Sequence, residues 1–253
     1  VGHKRKEVAQ RKKEMPVAAL ERNGLYGRPC LSLWESIRDP GKTGFIAEFK
    51  RQSPSRGVIN DRVSAAEVTK GYAEAGASGL SVLTDRHFFG GHNDDLLAAR
   101  TNEIPILRKD FVIDEYQVVE AKAIGADVIL LIAACLSPAE VKRLAEFAGS
   151  LGLEVLLEIH GEEELEHICD ATMLVGVNNR DLKTFTVDVD RSIRLIRKIP
   201  GDRLLVAESG IHDADTVRRM RDAGFHGFLV GEHFMKEADP AIAFASFVKQ
   251  LKG

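Results

Sequence analysis

The sequence predicts an α/β protein: a closed (β/α)8 barrel with an N-terminal helical extension. Three observations predict it. Eight short apolar runs alternate with longer amphipathic segments from residue 45 onward. Several runs are nearly continuous rather than alternating, as in strands covered by protein on both faces. Polar residues gather at the ends of these runs, and the 253-residue chain has the length typical of one such barrel.

Residues 1–44 precede the first run and form the extension, with an amphipathic helix over roughly 5–20 and a shorter one near Leu33–Ile37. An N-terminal helix is suited to cover the bottom of the barrel, and the chain reads as one domain over 1–253. The strands are FIAEF at 45–49, LSVLT at 80–84, PILR at 105–108 and VILLI at 128–132, then VLLE at 155–158, MLVGVN at 173–178, RLLVAE at 203–208 and GFLVG at 227–231. Helix starts fall between them. Ser64 is followed by Glu67, Ser137-Pro138-Ala139-Glu140 joins a capping box to a proline at the first helical position, and Asp239-Pro240 opens the last helix. Gly76, Gly125, Gly152 and Gly224 close four helices, where a left-handed residue is expected. Val141, Leu144, Ala145 and Ala148 recur at helical spacing and give one buried face. A doubly wound open sheet would show the same alternation. The first turn after residue 49, RQSPSRG, lacks the glycine fingerprint of a dinucleotide fold and weighs against it.

Composition narrows the function classes. Apolar residues make up 44% and charged residues 29%, a globular balance. The 35 Lys and Arg against 38 Asp and Glu give a net charge of −3, hence no global attraction to nucleic acid or anionic membrane. Cys30, Cys135 and Cys169 match neither a disulfide framework nor a metal site, and read as reduced thiols. No run approaches the ~20 apolar residues of a membrane span. Residue 1 is Val, and the charged segment after it has no signal-peptide core. A cytoplasmic monomer is the expectation.

In a barrel the C-terminal strand ends converge on one mouth. Here they carry Glu48 and Lys50, Arg108-Lys109-Asp110, Glu158, Asn178-Asn179-Arg180, Glu208-Ser209-Gly210 and Gly231-Glu232. Strand alternation puts Glu48 with Lys50, Leu107 with Lys109, Leu156 with Glu158 and Val206 with Glu208 on shared faces. If the apolar members fill the barrel, the polar ones cap it and look into the mouth. Lysines and carboxylates confined there shift one another's pKa values and can divide acid and base duties; the plainer reading is a set of ion pairs. Gly210 and Gly231, beyond strands 7 and 8, suit a phosphate held by backbone N–H groups, provided the Glu232 carboxylate turns away. The eight histidines form no HxH or HExxH pair and read as surface or loop residues. Ser53 lies in a loop of turn formers, Phe88-Phe89 offers aromatic surface, and Ser209 has no His–Asp relay.

Ordered motifs then carry a resemblance. EFKRQSPSRG at 48–57, SVLTDRHFFGG at 81–91, PILRKDFVIDEYQVVEA at 105–121, GADVILLI at 125–132, LEVLLEIH at 153–160 and VGVNNRDLKTF at 175–185, with VAESGI and VGEHFM, resemble those of indole-3-glycerol-phosphate synthases. HICDATM, before strand 6, lacks the glycine-alanine often found there. The resemblance implies a cofactor-free, metal-free lyase of tryptophan biosynthesis. Its reaction converts 1-(2-carboxyphenylamino)-1-deoxyribulose 5-phosphate to indole-3-glycerol phosphate, CO2 and water. It implies Lys109 as acid and Glu158 as base, with Lys50 and more weakly Arg180 on the substrate carboxylate. Glu48, Asn178 and Glu208 would orient the lysines and hold hydroxyls. Gly210, Gly231, Ser53 and adjacent backbone at Ser209 and Glu232 would hold the phosphate, and Phe89, Phe111 and Leu131 would line the anthranilate pocket. Association or fusion with other tryptophan-pathway enzymes is compatible. The alternatives are phosphoribosylanthranilate isomerase, whose acid and base would be an Asp and a Cys, and a non-catalytic phosphate-binding barrel.

Overall fold

Eight parallel strands close on themselves in the order in which the chain makes them. They are β1 (Phe45–Phe49), β2 (Gly79–Leu83), β3 (Ile106–Lys109), β4 (Val128–Ile132), β5 (Glu154–Ile159), β6 (Leu174–Asn178), β7 (Leu204–Glu208) and β8 (Gly227–Val230), with β1 paired to both β2 and β8. This computed structural model describes residues 1–54, 56–180 and 186–252. Ser55 of the first loop and 181–185 of the VGVNNRDLKTF motif lie outside the described residues.

The strands are apolar on both faces because each face has its own core. Ile46, Leu107, Leu130, Leu156, Val206 and Leu229 fill the barrel interior, whereas Phe45, Ala47, Ile129, Leu131, Val175 and Ala207 pack outward under the helices. A fully buried Leu or Ile is worth about 1.5–3 kcal/mol in removed apolar surface. The paired burial therefore favours the barrel over any arrangement with one face wet.

The outer layer includes α4 (Ala65–Glu74), α6 (Asn93–Ala99), α7 (Glu115–Ala123), α8 (Pro138–Ser150), α9 (Val189–Ile196), α10 (Ala214–Ala223) and α12 (Pro240–Lys252). Ser137 and Glu140 form the full capping box, and Asp239 accepts from the Ile242 N–H at 3.0 Å. Ser64 sits at the N-cap of α4, but its side chain takes no capping bond there, contrary to the expected box. The four helix-closing glycines all have positive φ. After β5 there is only a 3-10 helix, Glu162–His167, where the repeating pattern had led us to expect a full helix.

The extension departs from expectation in two ways. Its first helix is not continuous over 5–20: α1 (Gly2–Glu14) stops before Pro16, and a single turn, α2 (Val17–Leu20), follows. Proline lacks the N–H and blocks the preceding turn, which breaks the run. The bottom of the barrel is plugged by the short α3 (Leu33–Arg38), whose Leu33 and Ile37 join the interior core. Glu154, at the start of β5, fixes it by accepting from the Leu33 and Trp34 N–H groups at 2.8 and 3.1 Å. The longer α1 instead reaches the other end. Lys4 lies 2.7 Å from Asp85 and 2.8 Å from Asp110, residues just beyond the C-terminal ends of β2 and β3.

Candidate active site

On several strands the inward column ends in a polar side chain at the mouth. Leu107 is followed by Lys109, Leu156 by Glu158 and Val206 by Glu208, and these three ends meet. Lys109 Nζ lies 2.9 Å from Glu208 Oε2 and 3.2 Å from Glu158 Oε2. Asn178, capping β6, donates from Nδ2 to Glu158 Oε1 at 3.2 Å. On β1, Lys50 Nζ sits 3.0 Å from Glu48 Oε1, and Ser81 Oγ of β2 donates to Glu48 Oε2 at 3.2 Å. All of them except Ser81 line one cavity of about 280 Å³.

Two glycines make this crowding feasible. Both occupy inward positions where any Cβ would collide with a carboxylate: at Gly176 with Glu208 Oε1, and at Gly231 with Glu48, whose Oε1 and Cβ would lie 2.5 and 2.8 Å away. Gly231 was expected to open space for a phosphate; the contact it relieves in this structure is with Glu48.

Charge in the cavity is unevenly shared. Burial alone would lower the Lys109 pKa, but Glu208, Glu158 and Glu48 together outweigh it and hold the ammonium protonated far above the ordinary range. Burial would raise Glu158, yet Lys109, His160 and Asn178 hold it well below the usual carboxylate range. Glu208 goes the other way. Burial, with Glu158 and Glu48 as neighbouring anions, outweighs Lys109 and pushes it up to about 7. Its Oε1 is buried without a hydrogen-bond partner among the described residues.

The remaining wall divides by chemistry. Toward β2 and β3 it is aromatic: Phe89, from the single turn α5 (Arg86–Phe89), and Phe111 line it with ring centroids 6.2 Å apart. Phe88 leans on Phe111 at 5.9 Å and is 39% exposed, so it is the outer of the two. Toward β7 and β8 the wall is made by Ser209, Gly210, Gly231 and Glu232, with Ser53 from the first loop and Arg180 nearby. Ser209 and Gly210 both have positive φ, 66° and 70°, which turns the chain sharply after β7. The Glu232 carboxylate is engaged by Arg56 Nε at 3.1 Å and faces Arg180 at 3.9 Å. The turn α11 (Glu232–Met235) begins here, where first-turn N–H groups have no acceptor within the helix.

Leu131 does not belong to the cavity. It packs in the outer core, and the β4 residues that line the cavity are Leu130 and Ile132. Side chains alternate along a strand, so the anthranilate assignment was placed one residue off.

A sequence profile of the family "Indole-3-glycerol phosphate synthase" matches residues 1–247. The chain belongs to that family. It is 46% identical over 253 residues to the indole-3-glycerol phosphate synthase of Bacteroides thetaiotaomicron, covering 100% of this chain and 97% of that protein. The Polaromonas sp. (strain JS666) enzyme is 47% identical over 247 residues, 96% of this chain and 94% of that protein. Among solved structures, a tryptophan synthase complex from Pyrococcus furiosus superposes with a TM-score of 0.61 at 17% identity, over 83% of this chain and 97% of that one. The α-subunit of the Legionella pneumophila tryptophan synthase gives 0.62 at 14%, over 87% and 96%. These two establish the barrel fold and no more. Family membership carries the enzyme class, a carboxy-lyase with indole-3-glycerol-phosphate synthase activity in tryptophan biosynthesis. The isomerase and the silent barrel drop out.

In the candidate site, three residues escaped the sequence reading. Ser81 and Gly176 are inward residues that support Glu48 and admit Glu208. The third is His160, which had been placed with the surface or loop histidines. It lies 3.2 Å from Glu158 Oε1, with only 11% of its side chain exposed. His167 is buried as well, between the Glu164 and Leu136 carbonyls. The alternation that turns Glu158 inward also places residue 160 on that side, so this signal was available. Gly176 could have been found in the same way, two residues before Asn178.

Proposed function

We propose that this cavity carries out the synthase reaction on 1-(2-carboxyphenylamino)-1-deoxyribulose 5-phosphate with Lys109 as acid and Glu158 as base. The observation that carries this reading is Lys109 Nζ, held between Glu158 and Glu208 in a cavity lined by both an aromatic wall and a glycine-backed one. The aromatic ring suits Phe89 and Phe111. The phosphate suits the backbone of Gly210, Gly231 and Glu232 with Ser53. The carboxylate suits Lys50, with Arg180 secondary. Holding both ends folds the substrate so that the ring carbon approaches the ketone, an orientation effect.

Ring closure forms the carbon–carbon bond and passes the carbonyl electrons to oxygen, which takes a proton from Lys109. The carboxylate leaves as CO2, and its bonding electrons flow to the iminium nitrogen. The hydroxyl leaves as water after a second protonation, from Lys109 or Lys50, while Glu158 removes the ring-system proton. Two protons are supplied and one is withdrawn, so a carboxylate substrate takes up one proton per turnover. The resting pair is a weak acid beside a weak base. A substrate oxygen that draws Lys109 away from Glu158 Oε2 strengthens both at once. Glu208 Oε1, without a partner among the described residues, suits a substrate hydroxyl.

The wider reading is a cytoplasmic monomer that needs no cofactor. The three cysteines are unbridged, which suits a reducing compartment, and no helix among the described residues is long and apolar enough to cross a membrane. Indole fluorescence from the carboxyphenylamino substrate tests the activity. No product from a folded sample at high concentration would sink it.

A further inference from the structure

The proposed chemistry leaves His160 unused, although Glu158 faces it on the side opposite Lys109. Glu158 divides its two oxygens. Oε2 meets Lys109, whereas Oε1 accepts from Asn178 and lies 3.2 Å from His160 Nε2. Behind the imidazole, Nδ1 lies 3.4 Å from Glu164 Oε2, and that oxygen also accepts from the His160 backbone N–H at 2.6 Å. The ring is thus sandwiched between two carboxylates, with Glu158 7% and Glu164 12% exposed. Among the described residues neither ring nitrogen makes a well-directed hydrogen bond, so the contact is one of charge.

We propose that His160 is a positioning residue, a standing cation that fixes Glu158 Oε1 and keeps this carboxylate ionised after Lys109 has turned to the substrate. The inference rests on Glu158 being the base. Its physical ground is the loss that Lys109 inflicts when it moves. Glu158 is buried, and Glu208 is a second carboxylate on the same lysine, so without another cation Glu158 would take up a proton and cease to be a base. Asn178 can orient Oε1 but carries no charge. His160 supplies the charge, and Glu164 maintains it. Burial lowers the imidazole pKa, but the two carboxylates reverse this and raise it to about 10. The other titratable groups around the assembly are Lys109, Glu208, Glu48 and Lys50 in the mouth, Cys135 after β4, and His167 beside Glu164. The two sides of Glu158 then have separate duties: Oε2 reacts and Oε1 is held.

The test is the pH dependence of kcat, which reports groups in the substrate complex, for His160→Gln and His160→Lys, each shown folded by circular dichroism. Removing a cation raises the Glu158 pKa, so the acid limb of His160→Gln moves up by about one pH unit or more, each unit being tenfold in rate at low pH. His160→Lys restores the charge and brings the limb back towards the parent. A His160→Gln profile parallel to the parent, or equal displacement in both variants, overturns the proposal. Should His160→Gln fail to fold, imidazole NMR on the unaltered chain decides. The ring is expected to be protonated at about pH 8, and a ring neutral at pH 7 overturns the proposal. Glu158→Gln separates this inference from the one beneath it. If that variant keeps near-normal turnover, Glu158 is not the base; if it is inactive while the His160 profiles are unmoved, only the role of His160 falls.

Discussion

Lys109 faces two carboxylates of opposite disposition, one held ionised and one pushed towards neutrality. Lys109→Ala is expected to keep the fold and lose at least about 10²-fold in kcat, the lower scale of general acid catalysis. Near-normal turnover by a folded variant would remove Lys109 from the mechanism. Glu208 gives a pH prediction with a definite sign. Its pKa is raised in the folded chain, so its contribution to stability is complete below the ordinary carboxylate value and is lost as pH rises through about 7. Glu208→Gln should therefore gain stability relative to the parent between about pH 5 and pH 8. Urea unfolding at the two pH values checks this, and a difference that does not vary with pH contradicts it. The inward glycines give a third prediction. Gly176→Ala drives a Cβ into Glu208 Oε1, and overpacking of this kind costs about 1–3 kcal/mol. Because the displaced group is Glu208, kcat/KM should fall by about tenfold or more; a stability loss with unchanged kinetics would show that Glu208 has no part in the reaction. Gly231→Val is a poor probe of phosphate binding for the same reason, since it strikes Glu48 first.

At the scale of elements, α1 and α3 have opposite assignments. Lys4 is 2% exposed and faces three carboxylates, Glu7 at 2.9 Å as well as Asp85 and Asp110. Asp110 directly follows Lys109, and Asp85 accepts the Phe88 N–H at 2.7 Å. One lysine from the extension thus braces the two loops beside Lys109 and the aromatic wall. His3, stacked on His87 at 4.4 Å, adds a contact to the same turn. Breaking a buried ion pair by removing one partner costs about 3–5 kcal/mol, and Lys4→Met should lose stability on that scale. The loss should exceed the effect on KM for phosphate-end analogues, because the brace lies on the aromatic side. Denaturant unfolding together with kinetics on the substrate and on an analogue altered at the phosphate end tests it, and a loss under about 0.5 kcal/mol would mean that Lys4 holds nothing. The α3 plug has no such link to the mouth. Leu33→Ala opens a cavity at the bottom and should cost about 2–5 kcal/mol while leaving kcat/KM unchanged below the melting range.

For the whole molecule, the division is between a closed apolar floor and a charged mouth. The interior leucines and isoleucines end at the level where Glu48, Lys109, Glu158 and Glu208 begin, so the same columns supply the apolar floor below and line the candidate site above. The charged groups can be packed this closely because the floor is already filled and the strands cannot relax inward. That rigidity is why a single extra carbon at Gly176 or Gly231 is expected to register in the chemistry.

Eight apolar runs, their spacing and the polar residues at most of their ends were legible in the sequence because strand burial and two-residue alternation are local properties. The placement of Lys109, Glu158, Glu48, Lys50, Asn178 and Glu208 at the mouth was read in that way, and the motifs indicated the family. The misplacement of Leu131 was an error of phase along one strand, correctable by the same alternation. Other features were decided only by the closed structure. The path of the extension depends on which loops Lys4 can reach, and the plug depends on α3 meeting Glu154. The roles of Gly176 and Gly231 depend on carboxylates that arrive from neighbouring strands. Pairings across strands also decided that Glu158 is held ionised while Glu208 rises: both are glutamates at the ends of similar strands, and no local pattern separates them. Their difference lies in the neighbours the barrel brings to each: Lys109, His160 and the Asn178 amide around Glu158, and Lys109 set against the anions Glu158 and Glu48 around a buried Glu208. Neighbours of that kind exist only after the strands have closed.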